Sequence, residues 1–264
     1  MLARLRVTMP AAFTGRRVLG LFPHPDDEAY AAAGLLALCA DGGADVQLLC
    51  ATRGERGQDR GGAAGPGAAL GALRTAELET SCRALGVTPP VCLDLPDGGL
   101  ADTDGPTAVA LVAAHLHRAN PHVVVTLGHD GVYGSRDHIT WTGVVARAVA
   151  QVGGERRILH AVFPRDLFAP VRRGLYRSGT SALDPSAPRR LGVDPADVDL
   201  RLDIRPLRQR KLAAIAAHRS QLIGGDPLTF LRPGLIAPLL DEEWYLVASG
   251  PALPRGAADP FAGL

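Results

Sequence analysis

With 264 residues, 47% of them hydrophobic and 21% charged, the chain has ample material for a packed core and not the composition of a disordered protein. Twenty-eight Lys and Arg against 27 Asp and Glu leave a formal charge of +1, which gives no electrostatic footprint for nucleic acid or an anionic membrane and points to a small-molecule partner.

The opening MLARLRVTMPAAFTGRR holds no apolar run of signal-peptide length, and no later segment reaches the roughly 20 apolar residues of a membrane span, so a cytoplasmic protein is expected. RVLGLF (17–22) is a short apolar run ending at Pro23, and EAYAAAGLLALCADGG (28–43) follows as an Ala/Leu-rich helix closed by glycines. DVQLLCAT (45–52) reads as a strand, 54–67 as a glycine-rich loop and 67–86 as a helix ending at Gly86. VCLDL (91–95) and HVVVTL (122–127) read as strands, each followed by a helix, over 107–119 and 139–152. Apolar runs bounded on both sides are the signature of strands buried on two faces, and the alternation predicts an α/β fold with a mostly parallel sheet.

The glycine-rich loop contains neither a dinucleotide fingerprint nor a phosphate-loop motif. From 165 to 193 periodicity gives way to Pro, Gly, Arg and Ser, which predicts a long loop or lid within one domain spanning 1–264. VDLRLDI (198–204) alternates as a strand, and the segment 206–223 opens a helix on Pro206. Cys39, Cys50, Cys82 and Cys92 never form a CxxC pair and are expected as buried free thiols.

Two clusters carry chemistry. PHPDDE (23–28) stands where a strand gives way to a helix, the place where open α/β sheets bind ligands. There His24 and one Asp can bind a divalent metal while the other Asp deprotonates water; the plainer reading is that Asp26 or Asp27 caps the helix. GHDGVYGSRDHIT (128–140) follows a second strand and brings His129, Asp130, Asp137 and His138 within ten residues, enough to complete a three-ligand site with an open position.

These two clusters resemble the LmbE-like, or PIG-L, family of metal-dependent de-N-acetylases, over a span from about Arg17 to Val247. The resemblance implies a Rossmann-like three-layer αβα sandwich with a zinc site at the strand ends; family members commonly assemble, so a homo-oligomer is possible and the oligomeric state stays open. It implies His24, Asp27 and His138 as metal ligands, Asp26 as general base and Tyr133 as a stabiliser of the tetrahedral transition state. Asp137 would orient a neighbouring donor. Arg74 and Glu77 resemble the family's RxxE helix and Asp97 an acidic position near the sugar, so Arg74, Asp97, Arg136 and His218 are substrate-binding candidates, with a packing role open for Arg74 and Asp97 and a structural one for His218. Lys211, His218 and Gln221 fit its C-terminal helix. Arg74 with Glu77 could equally form a plain i, i+3 ion pair.

One departure stands out. The family reads HPDH in the second cluster, where the first His polarises the carbonyl, and this chain has Ser135, Arg136, Asp137 and His138. His129 or Arg136 could replace the missing charge, or the metal and Tyr133 could suffice; losing one oxyanion donor typically costs roughly 100 to 1000-fold in turnover. The implied activity is removal of acetyl from an N-acetylglucosamine-type conjugate by zinc-activated water. The same donors also suit Fe(II), Mn(II) or Co(II). Two alternatives stay open: a metal-dependent amidase or esterase on another conjugate, and a metal-retaining binding protein.

Overall fold

The computed structural model describes residues 12–103, 105–179, 182–227 and 236–264. Seven described strands, β1 (Arg17–Phe22), β2 (Asp45–Cys50), β3 (Val91–Cys92), β4 (Val123–Leu127), β5 (Arg157–Val162), β6 (Leu200–Asp203) and β7 (Glu242–Ser249), form one sheet in the order β3-β2-β1-β4-β5-β7-β6. The pairings among β1 to β5 are parallel, and β7 runs antiparallel to both β5 and β6. The expected mostly parallel α/β sheet is therefore present.

Strand side chains alternate between two cores, as the pleat demands. Val18 and Phe22 of β1, with Val123 and Val125 of β4, pack beneath α2 (Ala33–Asp41), α3 (Ala68–Leu85) and α8 (Arg208–Ala217). Leu19, Leu21 and Val124 point the other way, against α4 (Gly105–Ala119) and α6 (Arg136–Val152), where Trp141 is fully buried. No described helix is long and apolar enough to cross a membrane. The four cysteines are free; Cys39, Cys50 and Cys82 are buried and Cys92 half-buried, and burial pushes all four thiols up.

Four elements differ from the sequence expectation. The helix predicted over 28–43 is broken at Ala32 into α1 (Asp27–Ala31) and α2. The cause lies 200 residues away: the buried Glu243 carboxylate accepts the Gly34 and Leu35 amides, each at 2.8 Å. An anion on the first-turn N–H groups of α2 satisfies donors that a continuous helix would use internally. Gly34 is required there, because a Cβ would lie 2.3 Å from Ile204 Cγ2. The region 165–193 is not all loop, since α7 (Ala169–Arg177) runs through it, with Phe168 buried at its start. β5 and β7 have no counterpart in the sequence reading: RILHAV begins with Arg and contains His, and β7 opens with two glutamates.

Glu243 also receives Lys211 Nζ at 2.7 Å and the Tyr245 hydroxyl at 2.7 Å, while Lys211 donates further to the Tyr30 carbonyl at 2.9 Å. Lys211 is 1% exposed, so its charge has no recourse to water. Lys211→Met should cost about 3–5 kcal/mol of unfolding free energy by leaving a buried carboxylate uncompensated. Denaturant titration checks this, and a loss below about 1 kcal/mol would place the pair with ordinary surface bridges.

Candidate metal centre

The parallel strands place the loops after β1, β2, β3 and β4 at one edge of the sheet. β1 and β4 are neighbours whose crossovers depart to opposite sides, so the crevice between their carboxyl ends is the site a sheet of this topology offers. His24 follows β1, and His138 lies on the first turn of α6 after β4.

Asp27 joins them. Its Oδ2 lies 3.4 Å from His24 Nδ1, and its Oδ1 3.5 Å from His138 Nε2. The donor atoms of the three residues lie within 4.8 Å of one another. Two ligands held at roughly 2.0–2.1 Å from a tetrahedral zinc are about 3.3–3.4 Å apart, so these separations suit a shared metal better than direct hydrogen bonds. Burial holds His138 below its ordinary pKa, leaving a neutral imidazole with a lone pair to give. The residues present therefore fit a divalent cation.

His24 is held from behind. Its Nε2 faces Asp97 Oδ1 and Asp137 Oδ2, each at 3.3 Å, which fixes a proton there and aims Nδ1 at Asp27. Burial disfavours the charged ring, but the contacts to Asp137, Asp27 and Asp97 outweigh it and raise its pKa well above the ordinary value. Asp97 itself stays down at about 2: burial alone would raise it, and His24 together with the Arg56 amide reverses that. Asp137 accepts the Gly98 and Leu100 amides at 2.8 and 3.2 Å, and Asp97 accepts the Arg56 amide at 2.8 Å. Asp97 thus supports a histidine, where the sequence reading put it beside substrate.

Asp26 adopts φ 111°, a left-handed conformation that a non-glycine residue rarely takes, and its side chain makes no capping bond. Its Oδ2 accepts Arg74 Nη2 at 3.2 Å, and the same guanidinium bonds the Pro25 carbonyl at 2.5 Å and the Gly54 carbonyl at 2.9 Å. Arg74 is 4% exposed and clamps two loops around Asp26. It does not pair with Glu77, whose carboxylate takes the Ser220 amide and hydroxyl at 2.7 Å each. Burial pushes Asp26 up to about 6, with Arg74 opposing and Asp27 adding to the rise.

His218 lies beneath the same loop. It is 0% exposed and its Nε2 sits 2.7 Å from Glu28 Oε1, while Glu28 Oε2 accepts the Asp26 amide at 3.0 Å. It supports the loop of the base from beneath. Gln221 contacts the Gln58 carbonyl at 3.3 Å.

Around the missing histidine, Ser135 is the N-cap of α6, its Oγ accepting the His138 amide at 3.4 Å. Arg136 points to Asp102 at 3.4 Å. His129 is exposed, and its described electrostatic contact is with His160 on β5. Neither residue makes a described contact with the three donors. Tyr133 does approach: its ring centroid is 5.2 Å from that of His138, and burial pushes its hydroxyl up to about 12, so it is a proton donor at neutral pH. Val132 beside it has φ 67° and ψ −63°, strained for a β-branched residue. With Asp27, His138, Phe163, Phe168 and Val171, Tyr133 lines a cavity of about 60 Å³.

Asp97→Asn removes one of the two carboxylates behind His24 and should weaken metal affinity by about 10–100-fold. Competition with a fluorescent chelator measures it, and unchanged affinity would show that Asp137 orients the ring alone.

Residues 19–149 match the family model described as GlcNAc-PI de-N-acetylase, PIG-L. A 1D-myo-inositol 2-acetamido-2-deoxy-alpha-D-glucopyranoside deacetylase of Mycobacteroides abscessus is 32% identical, over 95% of this chain and 99% of its own. The protein of the same name from Saccharomonospora viridis is also 32% identical, over 94% and 100%. Among solved structures, the N,N'-diacetylchitobiose deacetylase of Pyrococcus horikoshii superposes with a TM-score of 0.62 at 24% identity, covering 88% of this chain and 83% of that one. A 4-carboxy-2-hydroxymuconate hydratase from Pseudomonas putida gives 0.64 at 17%, covering 92% and 100%, so the fold alone does not fix the chemistry. Identity near a third along almost the full length of both chains, together with the match over the segment that holds all three donors, settles descent: the chain belongs to the PIG-L family of de-N-acetylases.

Proposed function

We propose that this protein is a zinc-dependent de-N-acetylase that hydrolyses the acetamide of an N-acetylglucosamine-type conjugate to acetate and a free amino sugar. The observation that carries the reading is the convergence of His24, Asp27 and His138 with an unused carboxylate, Asp26, on the adjoining residue. The relatives named as inositol glucosaminide deacetylases support the substrate class.

His24, Asp27 and His138 would hold the metal, which when bound supplies Lewis acidity toward the amide carbonyl and toward water. Asp26 then takes a proton from the attacking water as its oxygen bonds to the carbonyl carbon. The pKa of about 6 leaves most of Asp26 ionised at neutral pH while keeping its proton affinity above that of an ordinary carboxylate. Arg74 and the Glu28–His218 pair keep Asp26 in place. Tyr133 donates to the developing oxyanion and stands in for the absent imidazole. Protonated Asp26 returns its proton to the leaving nitrogen, the C–N bond breaks, and acetate departs with the added oxygen. The apolar cavity of about 60 Å³ beside His138 and Tyr133 matches a methyl group and disfavours long acyl chains.

Asp26→Ala at full metal loading should abolish acetate release from N-acetylglucosamine conjugates while retaining the metal; turnover within about threefold of wild type would remove Asp26 as base. The base works ionised, so kcat/KM should rise with pH through its apparent pKa. That limb lies at or below about 6 in the metal-loaded enzyme, because an added cation favours the carboxylate. Arg74→Gln withdraws a positive charge that lowers Asp26, so the limb should move to higher pH, and a pH profile that stays put would show that Arg74 acts only on loop shape.

A further inference from the structure

A concentration of positive charge outside the metal centre lies along α7. A cleft of about 640 Å³ is lined there by Arg172, Arg173, Tyr176, Arg177, Arg189 and Asp166 among others. Four guanidinium groups thus face one carboxylate in a chain whose formal charge is only +1. Some arginines outside the cleft have carboxylate partners: Arg165 pairs with Asp194, Arg201 with Glu242 and Arg205 with Asp203. Arg172 donates to the Pro188 carbonyl at 2.5 Å, while Arg173, Arg177 and Arg189 are exposed and have no carboxylate partner among the described residues. Like charges gathered in a concavity repel one another, and a bound anion relieves that repulsion.

The cleft shares a wall with the site. Val171 and Phe168 line the cavity that touches Asp27, Tyr133 and His138, whereas the next residues along the helix turn to the cleft. Arg172 Cζ comes within 3.6 Å of the position a Cβ would take at Gly134, the residue after Tyr133. The segment is tied to the metal-site loop by the Gly192 amide on Asp130 Oδ2 at 2.7 Å and by the pairing of Ser135 with Leu183. One short helix therefore separates the reacting amide from the arginines.

We propose that this cleft receives an anionic group, with the charge of a phosphate or diphosphate, carried by the aglycone of the N-acetylated substrate. The proposal rests on the deacetylase reading and specifies it. Guanidinium groups engage phosphate oxygens through paired N–H donors, and several of them suit more than one negative charge. The name of the relatives' substrate describes an inositol glycoside without an ionised group, so a charged aglycone distinguishes this chain from them. A concave site walled by the catalytic cavity's own helix favours a small molecule over a membrane surface.

The test compares acetate release by the metal-loaded protein from a nucleoside-diphosphate-linked N-acetylglucosamine and from its neutral methyl glycoside. Wild type should prefer the diphosphate in kcat/KM by at least about tenfold, and Arg173→Gln with Arg177→Gln should lower that preference at least about tenfold, with thermal unfolding as the check on folding. A preference for the neutral sugar, or one that is equal in wild type and variant, overturns the proposal. If neither sugar yields acetate, the deacetylase reading fails on its own. Calorimetry with inorganic phosphate then judges the cleft: binding weakened at least about tenfold in the variant sustains the anion site, and equal binding removes it. Arginine-dependent binding to vesicles of anionic lipid, with no change in the sugar preference, would assign the patch to a membrane instead.

Discussion

Five carboxylates crowd the carboxyl ends of β1 to β4, and the rest of the site is arranged around that repulsion. Asp26, Asp27, Glu28, Asp97 and Asp137 lie within contact of one another or of His24, all buried or half-buried. His24 and Arg74 offset part of the charge, and His218 sits against Glu28. Backbone amides of Arg56, Gly98 and Leu100 absorb more. The remainder is an electrostatic demand that a divalent cation meets. A cluster of this kind is unfavourable for folding alone, which is the usual relation between a strained site and its function.

The same arrangement divides the acids by task. Asp27 lies between two imidazoles, and although burial would raise it, His138 and His24 hold it below the ordinary carboxylate range. Asp26, one residue back, turns away through a left-handed backbone towards Arg74, and burial dominates, so its pKa rises. Adjacent residues of identical chemistry thus reach opposite pKa shifts through a change in one backbone angle. Ser135 completes the second loop: as a helix cap it holds the His138 amide, a role an imidazole would fill less well.

Much of this was legible in the sequence because it was local. The strand 17–22 emerged with its bounds intact, and the donors His24, Asp27 and His138 were readable from two short clusters beside strand ends. What escaped depended on distance. The break at Ala32 is imposed by Glu243, from a strand whose two leading acids hid its β character. Arg74, Asp97 and His218 were recognisable as part of the site, but their partners were not, because these stand 20 to 190 residues away in sequence. α7 was missed for a related reason: with Pro170, Gly174 and three arginines it carries little helical signal, and its short apolar side needs the metal-site cavity to pack against.

At the opposite end of the sheet, Arg157 opens β5 with a wholly buried side chain that donates to the carbonyls of Pro251, Ala252 and Pro260 at 2.8, 2.9 and 2.7 Å. This guanidinium latches the segment after β7 beneath the amino ends of the strands, far along the strands from every loop that carries a ligand. The molecule is therefore fastened at one pole and reactive at the other. Insertions in the 54–67 loop or around α7 can reshape what enters the crevice without loosening that fastening, so the substrate range of such a scaffold can drift while its architecture stays put.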